Sequence, residues 1–173
     1  MPSRKIEDLD VRFQPFVQKA MVLWNAPENG SMDVRITCTQ RSWAEQDEDY
    51  AKGRTAPGEP CTHEEVWRPV GTCKVHPLGL SVTAAVGGMS WHNYGIAIDV
   101  APFIAGKPAW SYKKGGIWDR IADLGRSVGM EWGGTWRKPD RPHFEWHPGY
   151  KTTGIRIVKG KWEAGERPIQ LNA

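Results

Sequence analysis

One short run, Ile96-Ala97-Ile98-Asp99-Val100, constrains the fold of this chain more than any other, because it sets an acid among aliphatic residues. Ile96, Ile98 and Val100 alternate with Ala97 and Asp99, the period of a β-strand, which puts Asp99 on the face opposite the aliphatics. The stretch is expected to be well buried, and an unpaired carboxylate there is costly. A bound metal would relieve that cost.

The rest of the chain mixes helical and extended patterns. Leu9, Phe13, Phe16, Val17, Ala20 and Trp24 recur at helical spacing, predicting a first helix from near Leu9 or Pro15 to Trp24, broken by Asn25 to Ser31. Val34, Ile36 and Cys38 alternate with Arg35, Thr37 and Thr39, a half-buried strand ending at Gln40 and Arg41. Ser42 followed by Glu45 is a capping-box pattern that opens a second helix running through Tyr50 to Gly53, so Arg41 falls at a strand-to-helix corner. Residues 54–79 are rich in Pro, Gly and Thr and predict loop or irregular hairpin. Ile117, Ile121, Leu124 and Val128 form a helical stripe closed by Gly129, and Met130 to Trp132 and His143 to Trp146 read as short strands. Without a regular βαβ rhythm, this mixture predicts an α+β fold.

At 173 residues the chain fits one domain with a real core. Hydrophobic residues at 39% and charged ones at 25% argue against disorder, and no apolar run is long enough to span a bilayer. Met1 to Asp10 carries Arg4, Lys5 and several acids where a secretory signal needs apolar residues, so synthesis in the cytoplasm without a signal peptide is expected. Cys38, Cys61 and Cys73 are odd in number and lack a C-x-x-C pair, which argues against a disulfide framework or a thiolate zinc knuckle, and a Cys61 to Cys73 bridge is not expected in a reducing compartment. The ten Trp are assigned to core packing by default, although flat aromatic rings also carry sugars and peptide stems. Residues 1–148 are expected to form the working domain and 149–173 a basic extension, with Lys151, Arg156, Lys159, Lys161 and Arg167 against Glu163 and Glu166. Such a tail suits an anionic surface or plain solubility. No dense basic stripe with interleaved aromatics is present, so no nucleic-acid partner is expected.

Catalytic zinc takes three His, Asp or Glu ligands and leaves a fourth position for water, whose pKa it lowers to about 7. His92 precedes Asp99 by seven residues, with Gly95 able to turn the chain between them, and Asp140-Arg141-Pro142-His143 supplies a further histidine. His147 lies four residues beyond His143, roughly 13 Å along an extended strand, too far to share one ion, and is read as solvent-facing or substrate-side. His63 followed by Glu64 fails the H-E-x-x-H pattern because Trp67 stands in the last position. His63 and His76 are expected in loops.

Together, Ser90-x-His92-x-x-Gly95-x-Ala97-x-Asp99 and Asp140-x-x-His143 resemble the zinc D-Ala-D-Ala carboxypeptidase and dipeptidase family. The Asp three residues before the second His is most similar to its L-alanyl-D-glutamate endopeptidase branch, which includes many phage endolysins. Gln40-Arg41-Ser42, Glu45-Gln46, Tyr50, Gly53-Arg54-Thr55 with Pro57-Gly58, and Glu131-Trp132-Gly133-Gly134 extend the likeness over roughly residues 9 to 147. The resemblance implies a small zinc peptidase with a central antiparallel sheet flanked by helices, as in DD-peptidases and hedgehog-like folds. Carried onto this sequence, it implies one zinc per chain held by His92, Asp99 and His143, with Asp140 as general base and acid. Pro142 biases Arg141 toward an extended conformation, which suits holding the Asp140 carboxylate near the reacting water. Arg41 resembles the arginine that polarises the scissile carbonyl, a surface salt bridge being its alternative. Ser90 is a candidate to orient His92 or touch substrate, and Glu145 to support a ligand from behind.

The implied partner is the peptide stem of peptidoglycan, cut at the L-Ala-D-Glu bond, with a terminal D-Ala-D-Ala bond as the alternative. The protein is expected to act as a monomer, on the wall, after release from the cytoplasm. A non-catalytic wall-binding module that keeps zinc as a structural element is the rival of another class, and Asp140 argues against it. A peptide hydrolase unrelated to the wall is the third alternative, and would cut ordinary L-peptides.

Overall fold

The computed structural model describes residues 2–63, 66–68, 70–71, 74–147, 149–150 and 154–166. Along the chain come α1 (Gln14–Asn25), β1 (Val34–Cys38), α2 (Trp43–Ala51), a hairpin of β2 (Cys61–His63) and β3 (Val66–Arg68), β4 (Ala97–Ile104), β5 (Lys107–Pro108), α3 (Ile117–Ser127), β6 (Glu131–Trp132), β7 (His143–Glu145) and α4 (Ile155–Glu163). The main sheet has the order β1-β4-β7-β6 with β5 also on β4, and every pairing is antiparallel. Helices pack against it, so the α+β expectation holds.

The acid-bearing strand β4 is central and runs past the predicted end at Val100, through Pro102, to Ile104. Proline fits because of where its missing N–H would point. The Val100 amide donates to Pro142 on the β7 side, and the Phe103 amide donates to Asp33 on the β1 side. The Pro102 nitrogen therefore faces the side that β7, paired only from Ala97 to Asp99, does not reach, where Ala109 beyond β5 donates to the Pro102 carbonyl and no ladder bond from residue 102 to β7 is lost. On the other side β1 carries a bulge. Ile36 pairs with Val100 and Cys38 with Asp99, which leaves Thr37 without an opposite residue and places the end of β1 beside Asp99.

One face of the sheet builds the main core. Ile98, Val100 and Phe144 are fully buried there against Val17, Ala20 and Trp24 of α1 and Trp118, Ile121 and Ala122 of α3. Trp24 Nε1 donates to the Ile121 carbonyl at 2.8 Å, which satisfies a buried donor and ties the two helices together. Gly125 lets α3 approach β7: a Cβ there would stand 2.4 Å from Phe144 Cε1.

A second core gathers Trp91, Tyr94, Ile96 and Ala97 with Val158 of α4. Ile155, Val158 and Trp162 recur at helical spacing, and the Trp162 ring lies 5.3 Å from that of Tyr94. The described part of the basic extension is thus a helix packed on the same body, an element that a reading by charge alone overlooks. The capping box of α2 is formed as predicted: Ser42 Oγ accepts from the Glu45 amide at 3.2 Å, and the Ser42 amide donates to Glu45 Oε2 at 3.0 Å. Cys38 is a free, buried thiol. Cys73, and with it the Cys61 to Cys73 question, lies outside the described residues, as do Lys151 and Arg167. Among the described residues no helix is long and apolar enough to cross a membrane.

Candidate metal centre

The face of the sheet opposite the main core carries polar residues. In the β4–β7 register Asp99 lies directly opposite His143, so their side chains rise together from one face. His92 comes from the 3-10 turn Trp91–Tyr94, which Gly95 ends in the left-handed region at φ 65 before the chain enters β4. The three groups meet. His92 Nε2 is 3.2 Å from His143 Nδ1, and each nitrogen is 3.3 Å from Asp99 Oδ1. Ligands bonded at about 2.0–2.1 Å to a tetrahedral ion stand about 3.3–3.4 Å apart, so this triangle fits one face of a zinc tetrahedron.

The hydrogen bonds behind the rings sharpen the fit. His92 Nδ1 donates to the Thr39 carbonyl at 2.6 Å, and a carbonyl can only accept. His143 Nε2 donates to Glu145 Oε2 at 2.8 Å. In the neutral imidazoles the remaining nitrogens, His92 Nε2 and His143 Nδ1, therefore present lone pairs to each other and to the Asp99 carboxylate. Three acceptors facing one point need a cation between them, and a second partner fixing each tautomer is the usual support for a metal-ligating histidine. Cys38 Sγ also lies near His92, at 3.6 Å from Nδ1. That is the nitrogen committed to Thr39, although Cys38, His92 and Asp99 also offer ligand atoms within 4.8 Å of one another.

The charges agree. Although burial opposes its ionised form, Asp99 is held well below the usual carboxylate range by His92 and His143. Burial likewise opposes the charged imidazoles, yet Asp99 raises His92, and Asp99 with Glu145 raises His143 to about 9. Asp140 moves upward, first through loss of solvation in the cavity and then through the Asp99 charge. Asp99 and Glu145 are thus held as anions beside the two rings, an arrangement in which a divalent cation can replace the ring protons.

Asp140 sits on the turn before β7, its amide donating to Gly133 at 3.0 Å while its carbonyl accepts from the His143 amide at 3.4 Å. A Cβ on Gly133 would stand 2.7 Å from the Asp140 oxygen, so that glycine sets how close the turn can come. A cavity of about 910 Å³ opens over the triangle, and Arg41, Ser90, Asp140 and Glu145 line it with the three metal candidates. Arg41 is no loose surface cation. Its side chain is 14% exposed, Nη1 donates to Gln46 Oε1 at 3.0 Å, and Nε lies 3.4 Å from Asp49 Oδ2. Its amide donates to the His92 carbonyl at 3.1 Å, which joins the corner to the turn that carries His92. The Ser90 amide donates to Asn93 Oδ1 at 3.1 Å at the head of that turn.

His147 departs from expectation. Its side chain is 4% exposed, lies against the Trp91 ring at 5.2 Å, and contacts Glu145 Oε1 at 2.9 Å and Glu131 Oε1 at 3.0 Å. Alternation along the strand gave the correct face, but not the cover that Trp91 and β6 provide. A chain of contacts thus runs from His143 through Glu145 and His147 to Glu131. The signal for it, three ionisable residues at alternate positions 143, 145 and 147, was in the sequence. His76 lies in a loop as expected, and His63 ends β2.

Residues 83–146 match the family described as D-alanyl-D-alanine carboxypeptidase. Over 139 residues the chain is 35% identical to the peptidoglycan L-alanyl-D-glutamate endopeptidase CwlK of Bacillus subtilis (strain 168), covering 76% of this chain and 71% of that protein. The fold is similar to that of the Serratia marcescens L-Ala D-Glu endopeptidase ChiX, with TM-score 0.52 and 19% identity over 85% of this chain and 89% of the other. It is also similar to the vancomycin-resistance D,D-pentapeptidase VanY from a VanB-type cassette in complex with Zn(II), with TM-score 0.51 and 14% identity over 88% of this chain and 78% of the other.

Proposed function

Since the chain belongs to the D-alanyl-D-alanine carboxypeptidase family of zinc peptidases, we propose that it cuts the L-alanyl-D-glutamate bond of the peptidoglycan stem, with one zinc held by His92, Asp99 and His143. The observation that carries this reading is the 3.2–3.3 Å triangle beneath an open cavity that also holds Asp140. The identity to CwlK favours the endopeptidase bond over the terminal one. The two bonds are chemically alike near the break, since in each the leaving amine belongs to a D-residue with a free α-carboxylate. They differ in the side chain of that residue, which carries the stem onward through a γ-carboxyl in one case and is a methyl group in the other.

When bound, the zinc supplies Lewis-acid polarisation of the scissile carbonyl and acidifies water. Asp140 takes a proton from the attacking water and returns it to the leaving amine. Its upward-shifted carboxyl suits both halves of that exchange. Arg41, held by Gln46 and Asp49 at the cavity wall, keeps a fixed positive charge for the developing oxyanion.

Defined stem peptides incubated with the purified, zinc-loaded protein and read by mass spectrometry test the bond, and loss of terminal D-Ala alone rejects the endopeptidase reading. Asp140→Asn should abolish cleavage and leave about one zinc per chain by elemental analysis. Lysis of permeabilised cells that survives this change would refute the mechanism, and zinc retention without any hydrolysis by the unaltered protein would favour a wall-binding module.

A further inference from the structure

Trp110 is 56% exposed and lines the same cavity as Asp99, Asp140 and His143. Its ring is not loose. It stacks on Trp118 at 6.5 Å and 19°, and Trp118 is itself buried and anchored by its Nε1 to the Ala109 carbonyl at 3.2 Å. The Trp110 indole is therefore braced by Trp118 while more than half of it stays exposed at the cavity wall. Tyr112, close by in the chain, is held by the Arg141 guanidinium 3.9 Å over its ring and by its hydroxyl on Asp119. Arg141 follows Asp140 directly, so this aromatic ledge is tied to the turn that carries the proposed base.

A rigid, flat, half-exposed apolar face at the edge of a polar cleft fits a ligand with C–H bonds on one face and hydroxyls around its rim, which describes a pyranose. Resting on the L-alanyl-D-glutamate reading, we propose that Trp110 is the platform for the N-acetylmuramic acid ring that bears the stem. The scissile carbonyl belongs to L-Ala, whose nitrogen is acylated by the lactyl group of that sugar. Ring and reacting carbon are thus separated by one residue, about 3.5 Å of extended chain, plus the lactyl link. A terminal D-Ala-D-Ala bond lies three residues further from the sugar, about 10 Å more, and would bring peptide over the same platform. The cavity, at about 910 Å³, is near the top of the range of about 300–1,000 Å³ for small-ligand sites and has room for dipeptide and ring together.

Steady-state kinetics of the zinc-loaded protein on two substrates, a free stem tetrapeptide and the same peptide carrying N-acetylmuramic acid, test this. The unaltered protein should show the lower KM on the sugar-bearing substrate. Trp110→Ala should raise that KM roughly tenfold more than it raises the KM on the free peptide, and Trp110→Phe should restore most of the difference. Trp110→Leu, which keeps an apolar cover over Trp118, serves the same comparison where the alanine variant melts early. No preference for the sugar-bearing substrate, or equal effects of the substitutions on both, overturns the platform and leaves the endopeptidase reading standing. Failure of the unaltered protein to cut either substrate defeats that reading and the platform with it.

Discussion

Replacing Glu145 with glutamine changes almost no volume and removes one acceptor, which makes it a sharp probe of the centre. The Glu145 carboxylate meets two imidazoles, His143 Nε2 at 2.8 Å on Oε2 and His147 Nε2 at 2.9 Å on Oε1. An amide has one acceptor oxygen and an NH₂ donor, so one of the two rings must then face a donor. If the amide oxygen stays on His143, His147 Nε2 faces a donor and the ring keeps only Glu131, and the negative charge behind His143 is gone. If it turns to His147, His143 must move its proton to Nδ1, and the lone pair aimed at His92 and Asp99 disappears. Glu145 is 1% exposed, so water does not fill the gap. Disturbing such a supporting group costs about 10–100-fold in metal affinity, or about 1.4–2.7 kcal/mol. Competition for zinc between the protein and a chromophoric chelator measures it, with His147→Ala in parallel expected to fall between Glu145→Gln and the unaltered protein. Unchanged zinc affinity in Glu145→Gln would refute the idea that this carboxylate sets the His143 tautomer.

Gly125→Ala should destabilise the fold: pushing the Phe144 ring aside costs about 1–3 kcal/mol, of which helix propensity returns about 1. Calorimetry should show Tm lower by up to about 8 °C, and a raised Tm would mean that Phe144 has room to move. Trp162→Ala, at the contact between α4 and Tyr94, should cost about 1–3 kcal/mol by denaturant titration, whereas a free-standing tail would show no loss. In metal-free protein, contacts with His143 and His147 outweigh burial and hold Glu145 at about 2, against an ordinary value of 4.5. The folded form then binds fewer protons than the unfolded form between these values, so this contribution to stability is complete above about pH 4.5 and is lost as pH falls through about 2. Glu145→Gln should flatten the dependence of Tm on pH across that window, and an unaltered slope would contradict the assignment.

Local signals in the sequence carried over well to the structure. The Ser42 and Glu45 pair marked the start of α2, and the acid among aliphatics marked β4, because caps and alternation are properties of neighbouring residues. What lay hidden depends on residues far apart in the chain. The bulge at Thr37 has no glycine or proline to announce it and arises from how β1 meets β4. The continuation of β4 past Val100 through Pro102 depends on where β7 ends, which β4 alone does not show. The convergence of His92, Asp99 and His143 was legible as a motif, but the opposition of Asp99 and His143 is a matter of register. The burial of His147 is invisible to strand alternation because its cover comes from Trp91 and Glu131, 56 and 16 residues away in the chain. The helix α4 is announced by Ile155, Val158 and Trp162, a stripe that the charge of the surrounding tail obscures.

The two imidazoles at the centre are braced by different kinds of support. His92 leans on the carbonyl of Thr39, a group that every amino acid at that position would supply. His143 leans on a side chain, which leans on another, and that succession ends at Glu131, 59% exposed at the surface. Genetic drift at the rim of the molecule can therefore retune one half of the proposed metal grip while leaving the other half untouched.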